Sequence, residues 1–122
     1  MSTYSSTSKI GTLVATDATL VRYRAVKIVA GKLVTAGAAG QAFGICDLDE
    51  PKANQPVQVV VSGIAKVEAS AAIAADALVT IGADGRISAA AAGGEFILGQ
   101  LIGAVGGAGE IGEVYLTKNT KA

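Results

Sequence analysis

The chain has 122 residues, with ten basic and ten acidic side chains and no histidine. A formal charge of zero argues against a hold on nucleic acid or an anionic membrane, since both favour a basic excess. The missing histidine removes the commonest general base, the commonest metal ligand and every Ser-His or Cys-His nucleophile pair, so no catalytic site, metal site or cofactor is expected.

A domain of this size buries roughly two-thirds of its unfolded surface. Apolar residues make up 51% of the chain and aromatics only 4%, so the core is built mainly from Ala, Val, Ile and Leu. Small side chains bury less area each, and a subunit interface would supply more. One cysteine cannot form an intrachain disulfide and fits synthesis in a reducing cytoplasm. No apolar run approaches the roughly 20 residues of a membrane span, and the Ser/Thr-rich start is not a secretory leader.

Residues 2 to 8 (Ser2, Thr3, Tyr4, Ser5, Ser6, Thr7 and Ser8) are polar around one aromatic and lack periodicity, which predicts a flexible arm. The arm is placed at 1–9, a single β domain at 10–118 and a short tail at 119–122. Ala25 to Val29 is rich in β-branched residues, and Ala30-Gly31-Lys32 reads as a tight turn leading back through Leu33 to Thr35. Ala42 to Cys46 is another short apolar run, ended by Asp47, Asp49, Glu50 and Pro51.

Val57 to Glu68 alternates most clearly. Val57, Val59, Val61, Ala65 and Val67 fall on one face, taken as the core side. Val60 and Ile64 then fall on the outer face, where they suit a neighbouring subunit. Gly63 permits a bend. Ser70 to Asp76 is expected to form one helical turn capped by Ser70. Leu78 to Ile81 and Arg86 to Ser88, joined through Asp84-Gly85, predict a hairpin. Ala89 to Gly94 reads as a loop. Phe96 to Ile102 and Ile111 to Thr117 complete an all-β chain of roughly seven to nine short strands, a small barrel or sandwich with at most one short helix.

Four features imitate sites. Gly107-Ala-Gly-Glu-Ile-Gly112 has the letters of a dinucleotide-binding turn but is followed by a strand pattern, not a helix. Asp47, Asp49 and Glu50 lack the spacing of a calcium loop and read as a solvated turn. Cys46 has apolar neighbours and reads as a buried thiol. Arg22-Tyr23-Arg24 puts two cations around an aromatic; on a neutral chain, ion pairing or subunit contact is the better reading. Arg22, Arg24, Val60 and Ile64 are therefore the candidate subunit interface.

The order of these blocks resembles the capsid-decoration, or head-cement, proteins of tailed bacteriophages. Three stretches carry the resemblance. The first is Ala25-Val-Lys-Ile-Val-Ala-Gly-Lys-Leu33 leading to Ala42-Phe-Gly-Ile45. The second runs from Val57 through Gly63 and Glu68 to Val79. The third is Gly82-Ala-Asp-Gly-Arg86 with Leu98-Gly-Gln-Leu-Ile102 and Gly112-Glu-Val-Tyr-Leu116. The resemblance implies a β-rich homotrimer on the outer capsid surface of the virion, bound to the major capsid protein and bracing the expanded shell. It carries no catalytic residues. The polar arm, Ser2 to Ser8 with Tyr4 as anchor, is the candidate capsid contact. A small β-sandwich that binds carbohydrate or another surface is the alternative, disfavoured by the few aromatics available to stack on sugars.

Overall fold

The computed structural model describes residues 8–11, 13–15, 20–37, 41–48, 52–90 and 96–120. Nine strands form one curled antiparallel sheet. They are β1 (Ser8–Ile10), β2 (Ala25–Val29), β3 (Lys32–Thr35), β4 (Gly44–Cys46), β5 (Val59–Glu68), β6 (Leu78–Ile81), β7 (Ile87–Ala89), β8 (Phe96–Leu101) and β9 (Ile111–Thr120). Their order across the sheet is β3-β2-β4-β5-β9-β8-β6-β7, with β1 added beside β5.

Both expected hairpins form, and their turns show why. Ala30 and Gly31 both take positive φ, 52° and 79°, the requirement of a two-residue turn whose twist matches its strands. Asp84 and Gly85 do the same at 58° and 78° within a 3-10 turn at Ala83–Gly85. That turn is the only helical element among the described residues.

The helical turn expected at Ser70 to Asp76 does not form. Its backbone is claimed by neighbouring segments instead. Ser70 N and Oγ both donate to the Ile87 carbonyl, and Ile73 exchanges two backbone hydrogen bonds with Val105. At the chain ends, Ser8 and Lys9, expected in the arm, pair with Ser62 and Val60 of β5. Asn119 and Thr120, expected in the tail, pair with Ile97 and Phe96 of β8. Residues 1–7, and most of the loop expected at 89–94, lie outside the described residues.

The sheet curls around two hydrophobic clusters, with β5 shared between them. One cluster holds Val26, Leu33, Cys46, Val57 and Val59. The other holds Val67, Ile81, Ile87, Leu98, Leu101 and Val114. Each curl is drawn toward closure by isolated bridges. Val14 meets Pro56 and Ala15 meets Leu33 on one side, while Ala69, just past β5, meets Ile87 on the other. These bridges also occupy backbone groups at the outermost strands, which would otherwise be open edges.

Where the clusters adjoin, the sheet is covered on both faces. Ala25, Ile45 and Val60 join one cluster, and their neighbours Val26, Cys46 and Val59 join the other. This overturns the outer-face reading of Val60, which is only 6% exposed. A strand packed on both faces reads as a continuous apolar run, and alternation loses its meaning there.

Candidate interaction surface

At Gly63, with φ +86°, β5 changes partner. Its first half pairs with β1 and its second half with β9. Beyond this point the outer face is open to solvent. Ile64 and Tyr115 stand opposite each other on β5 and β9, 46% and 53% exposed. Gln100 and then Leu78 continue the same row on β8 and β6. Lys66 faces Glu113 in the next row.

A groove of about 250 Å³ lies beside this face, walled by Lys9 of β1, Arg22, Asp47, Ile64 and Lys66, with Val60 also lining it. Three of the four interface candidates, Arg22, Val60 and Ile64, therefore meet in one place. Val60 contributes a buried wall and Ile64 an exposed one.

The groove's charges are arranged around Asp47. Its carboxylate lies 2.7 Å from Lys9 Nζ and 3.1 Å from Arg22 Nε. Burial pushes its pKa up, but the hydrogen bonds and charges of Lys9 and Arg22 outweigh burial and hold it below the usual value. Asp47 thus belongs to an ion-pair cluster; Asp49 and Glu50 lie outside the described residues. Arg22 also sits 4.8 Å from the centroid of the Tyr23 ring.

Tyr23 has φ +71°, an unusual backbone for an aromatic residue and one that costs of order 1–3 kcal/mol. Two main-chain bonds hold it there. Its N–H donates to the Cys46 carbonyl, and its carbonyl accepts from Glu68 N–H.

Arg24, the fourth candidate, is engaged within the fold. Its Nε and Nη2 donate to the two Glu68 carboxylate oxygens at 3.2 and 3.4 Å. Arg86 Nε reaches the same carboxylate at 2.9 Å as an ion pair, out of line for a hydrogen bond. Glu68 thereby ties the start of β2 to the β6–β7 hairpin. Cys46 is a buried thiol whose Sγ donates to the Leu48 carbonyl at 3.7 Å. The 107–112 glycine stretch is a turn, with Gly109 at φ +87°, entering β9.

Sequence reading missed Lys9 and Lys66 as parts of this surface and, though it singled out Tyr23 between two arginines, it missed that residue's backbone conformation. Lys9 was counted with the arm, and a positive-φ tyrosine has no sequence signature. Lys66 could have been found, because it follows Ile64 on the same face of an alternating strand.

The family model described as phage cement protein matches residues 7–116. No curated protein matches the chain in sequence. Among solved structures, the head fiber gp8.5 N base of bacteriophage phi29 is similar, with a TM-score of 0.74 at 12% identity. The match covers 96% of this chain and 99% of that one. At that identity the likeness establishes a shared fold.

Proposed function

The chain belongs to the phage cement protein family, and from that membership we propose that it seats as a homotrimer on the outside of a phage head and braces the expanded shell. A structural role in the phage capsid follows from the family itself. The observation that carries the finer reading is the extent of the family match, which takes in all the strands up to Leu116. A core poor in aromatics and the exposed Ile64–Tyr115 row support a fold with surface reserved for protein contacts.

The mechanism is multivalent clamping. A trimer presents each contact three times, and modest contacts joined in one body hold with high avidity. A three-fold body also matches three-fold positions on an icosahedral shell. Residues 2–7 add to the grip by pairing as a strand with an exposed sheet edge of the capsid protein, with Tyr4 as anchor. Ser8, already paired with Ser62, is where that arm joins the fold.

The test uses heads stripped of decoration. Added chain should cosediment with expanded heads and raise their resistance to heat or loss of packaged DNA. Light scattering should give three times the 12.0 kDa chain mass. Deleting residues 2–7 should preserve folding and trimer mass and weaken head binding at least tenfold, about 1.4 kcal/mol. A chain that neither binds heads nor alters their resistance would sink the reading.

A further inference from the structure

We infer that the groove beside β1 and β5 receives an acidic segment of the capsid protein, its carboxylate set among Lys9, Arg22 and Lys66 and an adjoining apolar side chain laid on Ile64 and Tyr115. This inference rests on the cement reading and names the surface through which the folded sheet would act.

Charge supports it first. Lys9, Arg22 and Lys66 line the groove, and among the described residues Asp47 is the single carboxylate beside them. Asp47 already holds both Lys9 and Arg22, whereas Lys66 has no ion-pair partner among the described residues. Glu113, across from Lys66 on β9, does not line the groove. Among the described residues the groove therefore carries excess positive charge on a chain that is neutral overall, which complements an anionic group.

The apolar part comes next. Ile64 lines the groove and also begins the exposed row with Tyr115. A partner segment with a carboxylate beside an apolar side chain meets both features at once. Position then selects the capsid protein over a second copy of this chain. Ser8 pairs with Ser62, two residues from Ile64 on β5. The point where the arm proposed to grip the capsid joins the fold, at Ser8 and Lys9, thus lies at the edge of this groove.

The test compares Lys66→Glu, Lys66→Gln and Lys27→Glu with the unaltered chain on stripped, expanded heads. Lys66 and Lys27 are both exposed, and Lys27 lies away from this groove. Lys66→Glu should bind heads at least about tenfold more weakly, and Lys66→Gln by an intermediate amount. Lys27→Glu should bind normally, all three should keep their trimer mass, and Lys66→Gln and Lys27→Glu should keep their melting temperature, while Lys66→Glu, set opposite Glu113, should lose a few degrees at most. Rising salt should weaken the unaltered chain more than Lys66→Gln, as screening predicts. If Lys66→Glu decorates heads as tightly as the unaltered chain, the groove inference is wrong and the cement reading stands. If Lys66→Glu instead lowers the trimer mass, a second copy fills the groove and the inference is likewise overturned. Failure of the unaltered chain to bind heads removes both.

Discussion

Gly99 of β8 passes so close to Tyr115 of β9 that a Cβ on the glycine would collide with the tyrosine's carbonyl oxygen. The register shifts between Ile97 and Gly99 along this pair of strands, and the missing side chain is what allows the close approach.

Gly99→Ala should therefore destabilise the fold by about 3 kcal/mol, the upper end for overpacking, because the obstacle is backbone and cannot rotate aside. Thermal unfolding followed by circular dichroism should show a midpoint lower by roughly 10 °C. An unchanged midpoint would mean that the two strands sit farther apart than described.

Gly63→Val probes the handover on β5. At φ +86° a β-branched residue is strained whatever space surrounds it. The expected loss is on the order of 1–3 kcal/mol, with Gly63→Ala losing less. Equal stability in urea for all three proteins would show that β5 runs straight through this point.

Thr80 offers the opposite sign. It is 3% exposed on β6, and its Oγ1 has no hydrogen-bond partner among the described residues. Thr80→Val keeps the shape and removes a hydroxyl that is costly to bury, so stability should rise by about 1 kcal/mol. A lower urea midpoint for the valine variant would show that the hydroxyl is in fact satisfied.

Asp47 predicts a pH dependence. Its pKa is lowered in the folded state, so its contribution is complete above the unfolded value of about 3.9 and is lost as pH falls through the lower folded value. Lys9 and Arg22 are each more than a third exposed, so solvent screening keeps the contribution under about 1 kcal/mol. Asp47→Asn should be slightly less stable at neutral pH and should converge with the unaltered chain in strong acid. A deficit that persists undiminished into strong acid would assign the loss to packing instead.

The hairpins and the alternation of β5 past Gly63 were legible in the sequence because local chemistry decides them. Asp84-Gly85 needs only its own backbone freedom to turn. Val60 was illegible because its burial comes from segments distant in sequence that cover the second face of β5. Ser70 to Asp76 failed for a related reason: Ile87 and Val105 compete for its backbone bonds, and propensity carries no record of such competitors. Arg22 and Ile64 were grouped in one candidate interface by their chemistry, yet nothing in their spacing told that they line one groove. That meeting depends on Arg22 packing beside β4 and β5, a tertiary relationship.

The strand shared by the two curls has a mechanical consequence. A displacement of one curl against the other loads β5, the Glu68 tie to Arg24 and Arg86, and Lys118 of β9, whose Nζ donates to the Phe43 carbonyl. Tension along β5 loads its ladders in shear, so several hydrogen bonds resist together, while a crosswise pull would peel them singly. A molecule built this way behaves as a stiff rivet along one axis and a compliant one across it. Seated on a shell as proposed, its orientation would decide whether the shell's swelling is opposed or merely followed.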